Sequence, residues 1–154
     1  MRHHLHTEIT IDATPTEVWA VLTDLASYDS WNPFVVAAEG RVAVGERLVN
    51  RLQPPGGKAQ TFKPTVTVVS PPSTFEWLGR LGLPGIFDGR HRFDLTPTAD
   101  GGTHLVHQEF FSGLLVPLLR SALDGRTRHG FELMNQALKA RAESSVEVDV
   151  DVDR

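Results

Sequence analysis

The stretch Ile9-Thr-Ile-Asp-Ala-Thr-Pro-Thr-Glu-Val-Trp-Ala-Val-Leu-Thr-Asp-Leu-Ala-Ser-Tyr-Asp-Ser-Trp-Asn-Pro33 carries a strand end, a helix start and a helix stop in one run. Upstream it continues an alternating segment, His6 to Ile11. Thr7, Ile9 and Ile11 share one face there and His6, Glu8 and Thr10 the other, the period of a half-buried strand. Thr14 suits a helix N-cap, and Pro15 suits the first helical position, where its missing N–H is no loss. Glu17 lies three residues after Thr14, the spacing of a reciprocal capping box. Val18, Trp19, Val21, Leu22 and Leu25 supply the apolar face. The pattern predicts a break near Leu22 to Asp24, a short turn through Tyr28 and a stop at Trp31-Asn-Pro33, because a residue before proline avoids the helical region.

Near the other end, Gly101-Gly-Thr-His-Leu-Val-His-Gln-Glu-Phe-Phe-Ser-Gly113 reads as a turn and a strand. Leu105, His107, Glu109 and Phe111 fall on one face and His104, Val106, Gln108 and Phe110 on the other; polarity alone does not decide which face is inward. Leu115, Leu119, Leu123, Thr127, Phe131, Met134 and Leu138 then recur at three- and four-residue steps, predicting one long amphipathic helix over 117–142. Gly125 and Gly130 each cost such a helix about 1 kcal/mol against Ala. A kink, a close ligand and plain sequence drift all account for that cost.

The middle is rich in strands. Residues 34–39 and 46–52 read as two, around Gly45, and Pro54-Pro-Gly-Gly57 is a turn. Residues 59–70 read as one strand, in which Pro64 marks an edge or a bulge. Phe75 and Trp77 alternate with Glu76 and Leu78. In residues 87–95 Phe87, Gly89, His91, Phe93 and Leu95 alternate with Asp88, Arg90, Arg92 and Asp94, a strand with its charges toward water.

At 154 residues the chain suits one domain with its own core. Its 15 Lys and Arg are scattered, and the net charge is -4, so no nucleic-acid partner is expected. Without cysteine there is no disulfide scaffold, thiolate metal site or Cys nucleophile. No apolar run approaches the roughly 20 residues of a membrane span, and the polar start lacks a signal peptide's apolar segment. A cytoplasmic protein with no membrane insertion is the expectation. Residues 144–154 alternate Val with Asp or Glu without an evident partner strand, and read as an acidic, disordered tail.

The order of strand, capped helix, Trp-Asn-Pro stop, β-rich middle and long amphipathic helix resembles the START/Bet v1-like (SRPBCC) superfamily, in its polyketide cyclase/dehydrase-like branch. The resemblance covers about residues 6–143. It implies an α+β helix-grip fold, with a curved antiparallel sheet of six to seven strands wrapped around the long C-terminal helix and two short helices after the first strand. Residues 1–143 would form that single domain. The resemblance also implies an apolar cavity between sheet and helix, where composition alone allows a solid core. Members bind lipids, sterols, polyketides or other apolar molecules; some cyclise or dehydrate polyketides, and others assist chaperones or sequester toxins.

Carried onto this chain, the resemblance places Leu105, His107 and Glu109 on the concave side. The candidate ligand-binding set is Trp31, Phe34, Asn50, Phe62, Phe75, Trp77, Phe87, His91, Phe93, His107, Glu109, Phe111, Thr127 and Phe131. His91, His107 and Glu109 are also the catalytic candidates, since a carboxylate can orient a histidine for acid/base work. Alternatively they satisfy one another within the sheet, or meet a ligand. A small apolar molecule is the expected partner of a monomer or homodimer. Three functions stand open: carriage of that molecule, cyclisation or dehydration of a polyketide, and protein interaction like that of chaperone ATPase activators. The apolar loop 81–87 is a candidate binding surface or pocket entrance, or folds back over the long helix. No cofactor or metal is expected: His3, His4 and His6 sit at what reads as a mobile end, and His104 and His107 face opposite sides of a strand.

Overall fold

Thr14 and Glu17 close the predicted cap in both directions. Thr14 Oγ1 accepts from the Glu17 N–H at 3.3 Å, and Glu17 Oε2 accepts from the Thr14 N–H at 2.7 Å. A computed structural model describes the chain from Met1 to Val152, with side chains as far as Ser145. In it helix α1 (Pro15–Thr23) stops at Asp24, whose backbone leaves the helical region, and a turn of 3₁₀ helix follows over Leu25–Ser30. Asn32 then directs the chain into the sheet: its Oδ1 accepts from the amides of Phe34 and Val35 at 3.0 and 2.9 Å.

The strands are β1 (Arg2–Ile11), β2 (Val35–Glu39), β3 (Val49–Leu52), β4 (Gln60–Phe62), β5 (Thr65–Ser70), β6 (Thr74–Leu81), β7 (Phe87–Pro97) and β8 (Thr103–Ser112). They pair antiparallel in a five-stranded sheet, ordered β1-β8-β7-β6-β5, and a three-stranded sheet, ordered β2-β3-β4. The expected six to seven strands become eight because residues 59–70 divide at Pro64. Proline gives no N–H to a ladder, and the Pro64 carbonyl instead accepts from the Leu48 amide at 2.8 Å. Gly45 N–H to Val66 O at 2.9 Å and Val66 N–H to Glu46 O at 2.8 Å complete this seam, which joins the two sheets into one curved surface.

β1 begins at Arg2 rather than His6. It pairs with β8 over its full length, from Arg2 opposite Ser112 to Ile11 opposite Thr103. His3, His4 and His6 therefore lie in a hydrogen-bonded strand and not at a mobile end. The His4 ring stacks on Phe110 at 4.3 Å, and His3 Nε2 lies 2.8 Å from Asp124 Oδ1.

The C-terminal helix is not uniform. Helix α2 (Val116–Ala122) passes through a π turn, Leu123–Thr127, into helix α3 (Arg128–Val152). The turn contains Gly125, and such widened turns recur at functional sites. α3 continues into the stretch read as a tail: helical hydrogen bonds are local, so the chain there needs no partner strand. The remainder of that tail, residues 153–154, lies outside the described residues. Gly130 also finds its reason. A Cβ there would stand 2.6 Å from Phe34 Cε2, so the bare backbone admits the Phe34 ring. Phe131, Met134 and Leu138 of α3 are fully buried in the core that also holds Leu5, Phe93 and Leu105 of the sheet. A curved sheet gripping its last helix is the helix-grip fold. Among the described residues no helix is long and apolar enough to cross a membrane.

Candidate functional site

Alternation along β6, β7 and β8 sends Trp77, Gly89, His91, Glu109 and Phe111 to the concave side. Past one end of the solid core these side chains meet Asn50 and Phe62 of the smaller sheet, Phe34, and Leu119, Leu123 and Thr127 of the widened helix. Together they line a partly open cavity of about 330 Å³. Aromatic faces dominate its wall. Phe87 stacks on Phe111 at 5.4 Å, and Trp77 stacks on His91 at 4.6 Å.

One wall is polar, and it opens a buried chain of hydrogen bonds. Thr7 Oγ1 donates to the His107 carbonyl at 2.7 Å, so it accepts from Asn135 Nδ2 at 2.9 Å. That orientation turns Asn135 Oδ1 toward His107 Nδ1 at 2.7 Å, and Nδ1 must carry the proton. His107 is fully buried, with its ring flat on Phe131 at 4.1 Å. Burial, and then the neighbouring His91, push its pKa well below the usual histidine value; the Asn135 hydrogen bond opposes them. A neutral His107 with its proton on Nδ1 has only a lone pair on Nε2. His91 Nε2–H therefore donates to it at 2.7 Å. His91 Nδ1 is left facing Glu109 Oε2 at 3.3 Å.

Glu109 owes its place to a missing side chain. On β7, Gly89 lies beneath the carboxyl, and a Cβ there would overlap Oε1 and stand 3.3 Å from Cδ. His91 cannot swing away, because Nε2 is tied to His107 and the ring lies on Trp77. The His91 ring and the Glu109 carboxyl are thus both held in place at the cavity wall.

Of the residues singled out from sequence, Phe34, Asn50, Phe62, Trp77, Phe87, His91, Glu109, Phe111 and Thr127 line the cavity. Phe75, Phe93 and Phe131 are fully buried in the core behind it, and His107 touches it only through His91. Trp31 lies apart, edge-on to Tyr28 at 5.2 Å, with its indole N–H unpartnered among the described residues. Leu81 and Phe87 reach the cavity from the ends of the β6–β7 loop, while Leu83 is exposed. Backbone bonds at 3.0 Å, from Leu114 N–H to Gly85 O and Leu115 N–H to Ile86 O, tie this loop to the start of the helix.

Asn135 escaped the sequence reading, although it adjoins Met134 on the buried stripe between Phe131 and Leu138. A lone amide beside an apolar stripe is a signal, because burial obliges it to find partners. Thr7 and Gly89 were legible as inward positions but not as parts of a site.

A wider groove of about 540 Å³ on the convex face, between Arg2, His4, Arg80, Arg90 and Phe110, is open to solvent. Its charges turn to neighbours: Arg80 Nε lies 3.5 Å from Asp88 Oδ1, and Arg90 Nη1 lies 3.7 Å from the buried Glu76.

Solved structures share the whole architecture. Protein MLL2253 from Mesorhizobium loti is 25% identical, with 90% of this chain and 95% of that chain covered and a TM-score of 0.68. The Zhui aromatase/cyclase from a Streptomyces species is 17% identical, with 95% and 96% covered and a TM-score of 0.78. A START superfamily protein from Mycobacterium smegmatis is 19% identical, with 92% and 98% covered and a TM-score of 0.70. Among curated proteins, none matches the chain. The sequence model described as polyketide cyclase / dehydrase and lipid transport matches residues 2–151, and to that family, within the START/Bet v1-like superfamily, this chain belongs.

Proposed function

We propose that the protein binds and carries a small, largely apolar molecule in the cavity between the curved sheet and the C-terminal helix. The observation that carries this reading is the cavity itself. Its volume of about 330 Å³ and its aromatic lining, broken by a few polar groups, are the form of a small-molecule site. Phe34, Phe62, Trp77, Phe87 and Phe111 offer apolar area, and burial of that area would drive binding. Native mass spectrometry of the protein purified from its own host tests the reading. A retained small molecule is expected. An empty protein, with no thermal shift across a panel of apolar compounds, would refute it.

A second reading is favoured by one observation, the His91–Glu109 contact at the cavity wall. A preorganised acid/base pair beside an apolar pocket suits the cyclisation or dehydration of a polyketide. The Zhui aromatase/cyclase has the same fold. The two readings part on turnover: a carrier returns its ligand unchanged, whereas a cyclase or dehydratase releases a product lighter by water or isomeric with its substrate. In the second case Glu109→Gln would abolish the conversion while binding persists.

A further inference from the structure

The proton count along the buried chain specifies what the cavity wall offers a ligand. The His107 Nδ1 proton is spent on Asn135 and the His91 Nε2 proton on His107. His91 Nδ1 faces Glu109 Oε2 at 3.3 Å and leaves Oε1 outside that contact. An oxygen of an ionised carboxylate accepts hydrogen bonds and cannot donate. Oε1 lies over Gly89, itself part of the cavity wall. From the opposite sheet Asn50, only 3% exposed, adds a polar side chain to the wall.

The same wall is unsuited to an anion. Among the described residues Arg80 is the one Lys or Arg that reaches the cavity; its side chain is half exposed and faces Asp88 at 3.5 Å. A carboxylate bound within would meet the like charge of Glu109, and desolvating it is costly. The Thr127 hydroxyl can donate or accept, and so sets no preference.

We propose that the molecule taken by this cavity is neutral and hydroxylated, its hydroxyl donating to Glu109 Oε1. This rests on the cavity-binding reading above and narrows it: carboxylates such as fatty acids are excluded, and alcohols and phenols are selected. Contact with His91 and Gly89 positions the acceptor oxygen before the ligand arrives, which makes it a specificity filter.

Calorimetric titration of the full chain with naphthol, methylnaphthalene and naphthoate, all substituted at the same ring position, tests it. Methyl and hydroxyl are close in size, so the first two differ in the donor. Naphthol is expected to bind at least about tenfold more tightly than either of the others, the worth of one hydrogen bond to a charged or buried acceptor. Glu109→Gln should shrink that ratio, and Asn50→Leu should leave most of it. Methylnaphthalene or naphthoate binding as tightly as naphthol would overturn the inference and leave cavity binding intact. Failure of all three to bind a folded protein would overturn the cavity-binding reading, and this inference with it. The wild-type series decides the matter even if a variant fails to fold.

Discussion

Glu109 rests its carboxyl on Gly89, where any other residue would place a Cβ in overlap with Oε1. The relationship couples a backbone position on β7 to the orientation of an acid on β8. Gly89→Ala should cost at most about 1 kcal/mol, the low end of overpacking, because the displaced atoms end a flexible side chain. Its effect on the site should be larger. The carboxyl moves off His91, and the preference for naphthol over methylnaphthalene falls. Melting temperature and the two titrations, measured on one preparation, check this; unchanged preference would mean that Glu109 finds the same place by another route.

Gly130 and Phe34 make the opposite case. Phe34 is buried between α3 and the cavity, edge-on to Phe131 at 5.5 Å, so its ring is held by Phe131 as well as by Gly130. In an ordinary helix Ala for Gly gains about 1 kcal/mol. Here overpacking of roughly 1–3 kcal/mol should outweigh the gain. Urea unfolding of Gly130→Ala should therefore show a lower midpoint, and a raised midpoint would show that the ring moves aside freely.

Asn135 fixes two proton positions at a distance from the cavity. Asn135→Leu removes the acceptor for His107 Nδ1–H and should cost about 1–3 kcal/mol for the buried group left unsatisfied. Nitrogen-15 NMR gives a readout that mere destabilisation would not move. Wild-type His107 should carry its proton on Nδ1 and His91 on Nε2, and in the variant the His107 tautomer should cease to be fixed.

Acid should weaken the fold through His107. Its folded pKa lies well below the unfolded value, with burial as the main cause. Between those two values the unfolded chain binds a proton that the folded chain does not, so stability rises with pH across the interval. The contribution is complete above the ordinary histidine pKa of about 6.5. It declines by up to about 1.4 kcal/mol per pH unit as acid is added, until the folded pKa is reached. Denaturant titrations across the mildly acidic range should show that slope, and His107→Gln should remove most of it.

The legible parts of this molecule are those whose causes are local. Thr14 and Glu17 declare their helix start within four residues, and the alternation around His91 and Phe93 declares its strand. Pro64 announces an irregularity but not that the chain divides there, because the outcome depends on Leu48 offering its amide from another strand. Phe75, Phe93, Phe62 and Phe111 share one sequence signature; only their neighbours in space sort core from cavity wall. Asn135 acquires its role from Thr7 and His107, both far away in the chain. The acid/base candidates were readable as inward groups, while the order in which they hold protons follows from partners that periodicity does not show.

The seam at Leu48, Pro64 and Val66 has a mechanical meaning. The two leaves of the sheet meet along a few backbone bonds, with Asn50 on one leaf and Glu109 on the other. A molecule in the cavity would touch both leaves and act as a strut across that junction. An occupied shell would resist unfolding as one piece, while an empty one would have its softest line where Pro64 interrupts the weave.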